Sequence, residues 1–310
     1  MVADVLIFPG QGAQKIGMAR DLAERFPAAR SVLLEIEEAL GIPLTRIMWD
    51  GPEAELLETR NTQPAILAHS AAVLAVVAGR LGPVVGAAGH SLGEYSAYHA
   101  AGALSAVDAA RLVRRRGELM HQAGQARPGA MAAVLGLDGA QVQALCAEAS
   151  AAGGGVVVAA NLNAPEQTVI SGDPEAVARA GDAAKASGAK RVLPLNVSGA
   201  FHSPLMAPAA EGLARALADV AMADPAYPVV ANAVAGPVTT AAEARRLLVE
   251  QLTAPVRWVE SAQVLAGLAP AVRFVELGPG TVLSGLVKRI VPGAQCVTLG
   301  TAAEVEKFLA

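Results

Sequence analysis

The chain has 310 residues, 53% hydrophobic, 17% charged and only 3% aromatic, with a formal net charge of −4. That length suits two domains of ~150 residues, or one large α/β unit with an insertion; with so few rings, its core is built from Ala, Val, Leu and Ile. The acidic balance argues against a general nucleic-acid binder, which carries a basic excess or stripe. Cys146 and Cys296 lie far apart with no CxxC spacing, so they form neither a metal site nor a disulfide framework. They read as small buried apolar residues in a reducing compartment. The N-terminal "MVADVLIFPGQG" has no basic region and too short an apolar run for a secretory signal. No apolar stretch of the ~20 residues needed to span a bilayer runs without charge, Gly or Pro. The expectation is a cytoplasmic protein with no membrane partner.

In chain order, "DVLIFPG" (4–10) reads as a short buried strand of a parallel sheet, ended by Pro-Gly. Helical patterns follow at 17–40 and 53–60, and another helix is expected after Pro64 to about residue 80. "VVGAAGHS" is a second buried strand, with a helix from about Gly93. At 106–123, Leu112, Val113, Leu119 and Met120 recur at helical spacing.

Near residue 128 the rhythm changes. "AMAAVLGL" reads as a strand, a helix starts near Asp138, and "GVVVAANL" and "QTVISG" read as two more strands. Asp173-Pro174 opens a helix over 174–187, and "AKRVLPLNV" is a last strand. The order β-α-β-β-α-β, complete in about 70 residues, is the ferredoxin-like pattern. The expected organisation is a large α/β domain of residues 1–127 and 198–310 with a ferredoxin-like domain, 128–197, inserted. After it come a helix at 204–219, the strand "YPVVANA", and helices near 241–252 and 258–267. "VRFVELGPG", a helix at 281–290 and "AQCVTLG" complete the sheet.

Gly89-His90-Ser91-Leu92-Gly93 fits G-x-S-x-G between a predicted strand and a predicted helix, the setting of a nucleophile elbow. So tight a turn needs small residues around the serine. It lifts the Ser91 hydroxyl to the carboxyl edge of the sheet, and the Leu92 N–H and the helix N-terminus favour an oxyanion there. The alternative is a serine in an ordinary glycine-rich turn. A reactive serine needs a base. His69, His99 and His121 fall in helical patterns and read as structural, while His90 is expected to point to the other side of the strand. His202 stands in the loop "SGAFHSP", where catalytic groups tend to sit. Position alone leaves it between base and bystander.

"FPGQGAQ" (8–14) lacks the Lys-Ser/Thr of a P-loop and the full dinucleotide spacing. A second oxyanion donor from the Gln11 backbone suits it better than a phosphate turn. "RLVRRRGELM" (111–120) reads as a solvated face for Arg111, Arg114 and Arg115. One arginine turned inward would hold a substrate carboxylate through its planar fork.

In order along the chain stand "FPGQGAQ", "TQPAI" (62–66), "GHSLGE", "RRRGELM", "GAFHS" and "ELGPG". From residue 5 to about 300, this set closely resembles the malonyl-CoA:acyl carrier protein transacylases of fatty-acid synthesis and the related acyltransferase domains of polyketide synthases. The resemblance implies an α/β-hydrolase-like large domain with an inserted ferredoxin-like domain. It implies Ser91 as the nucleophile bearing the malonyl ester and His202 as its general base and acid. Arg116 would pair with the malonyl carboxylate, and the N–H groups of Gln11 and Leu92 would form the oxyanion hole. Gln251 matches a residue that orients the histidine through its main-chain carbonyl, so no acidic residue need stand behind His202. Gln63 matches a position near the site with no assigned reaction role.

Phe201 stands where, in the polyketide enzymes, Phe goes with malonyl and Ser with methylmalonyl; many bacterial transacylases have Ser there. The resemblance implies no metal and no bound cofactor: malonyl-CoA is the substrate and an acyl carrier protein brings the phosphopantetheine. The family is commonly monomeric. Carrier proteins are acidic, so Lys190, Arg191, Lys288 and Arg289 are candidates for a basic patch at the cleft mouth. The alternatives are a discrete polyketide acyltransferase, a serine esterase or thioesterase, a carrier-binding subunit without turnover, and the transferase subunit of a malonate decarboxylase.

Overall fold

The computed structural model describes residues 2–197 and 199–310; the expected domain junction at 198 lies outside the described residues. Strand β1 (Ala3–Phe8), buried along its whole length, is followed by helices α1 (Arg20–Arg25), α2 (Pro27–Leu40), α3 (Leu44–Trp49), α4 (Glu53–Leu57) and α5 (Thr59–Val77). Then come β2 (Val84–Gly89), α6 (Gly93–Ala100) and α7 (Ala106–Ala126). A second unit holds β3 (Ala130–Leu135), α8 (Gly139–Ala151), β4 (Val157–Ala164), β5 (Gln167–Gly172), α9 (Pro174–Ala186) and β6 (Arg191–Pro194). The chain then returns through α10 (Ala207–Ala218), β7 (Val229–Ala231), β8 (Gly236–Val238), α11 (Ala241–Glu250) and α12 (Trp258–Ala266). It closes with β9 (Val272–Leu277), α13 (Val282–Ile290), β10 (Gln295–Leu299) and α14 (Ala302–Leu309).

The large sheet runs β10-β9-β1-β2-β7-β8, parallel throughout except for β8 against β7. Its middle strands, covered on both faces, are the near-continuous apolar runs of the sequence, as a parallel sheet between helices requires. The small sheet is antiparallel, order β4-β5-β3-β6, with α8 and α9 packed on it: the ferredoxin-like arrangement. The two units are joined by main-chain bonds as well as by the chain crossings. Leu162 N donates to Val256 O at 2.9 Å and Val256 N donates to Ala160 O at 2.8 Å, which ties β4 to the segment before α12.

Helix α5 departs from expectation by starting at Thr59 with Pro64 inside it. Proline has no N–H for the carbonyl four residues back, that of Arg60. Arg114 Nη1 fills the gap from α7, donating to Arg60 O at 3.1 Å and to Asn61 Oδ1 at 2.6 Å. Arg114 is therefore a brace between α5 and α7, not part of a solvated face. By length and composition α5 is apolar enough to cross a bilayer, yet residues 61–73 are all buried within the fold. It is the central helix of the large domain.

Candidate active site

Strand β2 ends at Gly89 and α6 begins at Gly93. The turn between them is too tight for any side chain at either glycine. A Cβ on Gly89 would lie 1.8 Å from the Gly93 carbonyl carbon, and one on Gly93 would lie 2.3 Å from Phe8 O. Between them Ser91 adopts φ 54°, a left-handed conformation unusual for a residue with a Cβ. Asn232, just past β7, holds it there. Its Oδ1 accepts the Ser91 N–H at 2.7 Å and its Nδ2 donates to Gly89 O at 2.8 Å.

His202 is likewise left-handed, with φ 56°, and buried. Its Nε2 lies 2.8 Å from Ser91 Oγ, and its Nδ1 lies 2.9 Å from the main-chain oxygen of Gln251. A carbonyl only accepts, so Nδ1 carries the proton and Nε2 is left to receive the one on the serine. Burial, reinforced by the Arg116 charge, depresses the His202 pKa to about 3. The imidazole is thus a neutral base at physiological pH.

Of the four arginines of α7, Arg116 is the one turned inward and is 1% exposed. Gly117 beside it lets the helices approach: a Cβ there would sit 2.7 Å from Arg60 Cα. Arg116 Nη1 donates to Gln63 Oε1 at 2.8 Å, while Nη2 donates to Ser91 Oγ at 3.0 Å and to Gln251 Oε1 at 2.9 Å. Gln63 Nε2 donates to Thr59 Oγ1 at 3.0 Å, which in turn donates to Gln11 Oε1 at 2.9 Å. No carboxylate pairs directly with Arg116 among the described residues. The cation is held by amides and a hydroxyl, and burial lowers its pKa against the opposing pull of nearby Tyr95 and Glu94.

Ser91, His202 and Arg116 open on a cleft of about 280 Å³ between the two units, which Gln11, Leu92 and Phe201 also line. Among the described residues the Gln11 and Leu92 N–H groups donate to no protein acceptor. Two free donors beside a nucleophile suit an oxyanion. Phe201 is buried, and apolar side chains of the small sheet, Met131 and Val169 among them, form the facing wall.

His90 turns, as expected, to the other side of the strand: its ring packs 5.8 Å from that of Trp258, on the face of the sheet that Ala88 also covers. At the sheet's edge it still borders the cleft, with Nε2 2.8 Å from Asn163 Oδ1 of the small domain. Arg111 and Arg115 are exposed, as read. Lys190, Arg191, Lys288 and Arg289 are all exposed; Lys190 pairs with Glu166 at 3.2 Å, and Arg289 Nη1 donates to Gln167 Oε1 at 2.8 Å. Gln167 lines the cleft, which puts Arg289 at its rim.

Asn232 and Glu94 are the site residues that sequence reasoning passed over. Glu94, wholly buried in the first turn of α6, accepts the Asn232 N–H at 2.9 Å and Gln251 Nε2 at 2.7 Å on one oxygen, Oε2. Burial raises its pKa to about 7. The only signals were a charged residue inside "GHSLGE" and an amide ending the apolar run "VVAN".

A serine with its base, two free N–H donors and a buried cation gathered at the edge of one parallel sheet define a serine-dependent acyl-transferring enzyme. The acyl transferase domain matches residues 5–305, and the chain belongs to that family. It is 46% identical over 285 residues to the malonyl CoA-acyl carrier protein transacylase of Bacillus subtilis, covering 92% of this chain and 89% of the relative. It is 45% identical over 293 residues to the enzyme of the same name from Escherichia coli strain K12, covering 94% of each. Among solved structures, a malonyl-transacylase in complex with its holo type II polyketide synthase acyl-carrier protein superposes with a TM-score of 0.93. That relative is 42% identical, with 99% of each chain covered.

Proposed function

We propose that this enzyme moves a malonyl group from malonyl-CoA to the phosphopantetheine thiol of an acyl carrier protein, in fatty-acid synthesis, through an ester on Ser91. One observation carries the reading: the Ser91 hydroxyl touches both a neutral imidazole, at 2.8 Å, and a buried guanidinium, at 3.0 Å. A plain esterase has no use for the second. An acyl group ending in its own carboxylate does, because Arg116 supplies a charge-assisted pair at the reacting atom.

The malonyl carboxylate docks on Arg116, which brings the thioester carbonyl to Ser91 Oγ. His202 Nε2 takes the hydroxyl proton as the C–O bond forms, while Gln251 O holds Nδ1–H and keeps the ring in register. The Gln11 and Leu92 N–H groups receive the oxyanion. On collapse the C–S bond breaks, and His202 returns the proton to the departing coenzyme A thiol. The carrier thiol then gives its proton to His202, attacks the ester, and releases Ser91 with that proton restored. The ester and both thioesters exchange acyl groups without a further cofactor, metal included. Phe201 fills the space beside the malonyl methylene and disfavours a branched acyl group.

The carrier approaches the rim at Arg289, and the exposed Lys190, Arg191 and Lys288 add positive charge that suits an acidic partner. A monomer suffices, since every group invoked stands on one chain. The cytoplasm suits the two free cysteines. Service to a polyketide carrier is the second reading, favoured by the 42% identical relative solved with such a carrier. Initial rates with varied malonyl-CoA and holo-carrier protein test the mechanism: parallel double-reciprocal lines are expected, and intersecting lines would exclude the ping-pong order. Replacing the fatty-acid carrier by a polyketide carrier in the same assay decides between the two pathways by the larger kcat/KM.

A further inference from the structure

Arg116, a guanidinium, and Glu94, a carboxyl group, are both wholly or almost wholly buried, yet they do not touch. The Gln251 side chain lies between them: its Oε1 accepts from Arg116 Nη2 at 2.9 Å and its Nε2 donates to Glu94 Oε2 at 2.7 Å. The same Nε2 donates to Ser91 O at 3.1 Å, and the Gln251 main-chain oxygen meets His202. An amide has one accepting and one donating end. If it were flipped, its NH2 would face the guanidinium donors and its oxygen the Glu94 acceptor, so the donor at one end and the acceptor at the other together fix its orientation.

We infer that Glu94 is a positioning residue which, through the Gln251 amide, aligns Arg116 for the carboxylate of the acyl group while leaving the cation unneutralised. A direct Glu94–Arg116 ion pair would pair the cation's charge within the protein. The bridging amide takes one Nη2 donor and keeps the charge available to the substrate. Glu94 Oε1 has no partner among the described residues, so all of the carboxylate's bonding is directed at Gln251 and Asn232.

The inference rests on the malonyl-transfer reading, and its signature is selectivity rather than overall rate. Full-length wild type, Glu94→Ala, Glu94→Gln and Gln251→Leu are mixed with malonyl-CoA or acetyl-CoA. Single-turnover formation of the acyl-serine ester is followed by intact mass, with folding checked by thermal unfolding. Acetyl has no carboxylate, so its rate registers only the Arg116 contact with Ser91 Oγ, whereas the malonyl rate registers that contact and the docking of the carboxylate. Loss of a hydrogen bond to a charged group predicts that Glu94→Ala lowers the malonyl-to-acetyl ratio about tenfold or more. Glu94→Gln keeps an acceptor oxygen for Gln251 Nε2 and is expected to hold the ratio within about threefold. Gln251→Leu retains the main-chain carbonyl that orients His202, and it should lower the ratio as Glu94→Ala does. Should Glu94→Ala not fold, Gln251→Leu decides alone. An unchanged ratio in either folded variant, with both rates falling together, overturns the inference. Wild type that forms no malonyl ester would instead overturn the functional reading on which it stands.

Discussion

Ser91 Oγ is approached by His202 Nε2 from one side and Arg116 Nη2 from another, and each neighbour has a separable consequence. On the proposed mechanism, removing the cation in Arg116→Ala takes away up to two charge-assisted contacts to the malonyl carboxylate. At roughly 1.5–3 kcal/mol for each hydrogen bond to a charged group, kcat/KM for malonyl-CoA should fall about 100-fold or more, and that for acetyl-CoA far less. Equal losses on both substrates would count against carboxylate binding. His202, held at about 3, is already the neutral base well below its ordinary range. The histidine is therefore expected to contribute no drop in the rate of ester formation at its ordinary value of about 6.5 as pH falls from 8 to about 5, and a step near 7 would mark Glu94 instead. Stopped-flow acylation across that range measures it. Opening the acyl pocket with Phe201→Ala should raise kcat/KM for methylmalonyl-CoA relative to malonyl-CoA by about 10–200-fold, the worth of one methyl in a pocket. No change in that ratio would remove Phe201 from selectivity.

At the scale of elements, the strand–turn–helix around Ser91 was legible because its apolar run and flanking glycines are local signals. The α5–α7 pair was not. Pro64 reads as a helix start, and only the Arg114 bonds to Arg60 O and Asn61 Oδ1 explain how a helix passes through it. Arg114→Met should leave those two acceptors without a donor and cost about 2 kcal/mol, visible as a lower urea midpoint with unchanged slope. A midpoint equal to wild type would mean the brace carries nothing. Short pieces fixed by tertiary packing, α3, β8 and α14, were likewise missed. The same holds for the braces of the site. Asn232 reaches Ser91 across 141 residues and Gln251 reaches Glu94 across 157, contacts that no local pattern encodes. Nor could the spacing of "RRRG" say which arginine turns inward; that came from the likeness to known enzymes.

For the whole molecule, the cleft exists because the small domain is tied to the large one through β4 and Val256 and supplies one wall above the serine. Burying so many titratable groups in one fold leaves a mark on its stability. His202 at about 3 and His69 at about 4 both resist protonation when folded, so between those values and about 6.5 the unfolded chain binds protons the folded one refuses. Stability is lost as pH falls through that window, by up to about 1.4 kcal/mol per pH unit for each such proton. Glu94, raised to about 7, works in the opposite direction between about 4.5 and 7. The net expectation is a lower denaturant midpoint at pH 5 than at pH 6.5, with a steeper fall in Glu94→Gln, where the opposing group is gone. The central claim is most directly tested by intact-protein mass spectrometry after brief mixing with malonyl-CoA, with peptide mapping and a chase by apo- or holo-carrier protein. The account predicts one malonyl adduct, on the peptide containing Ser91, that holo-carrier removes and apo-carrier does not. Free malonate with no adduct, or an adduct on another peptide, would contradict it.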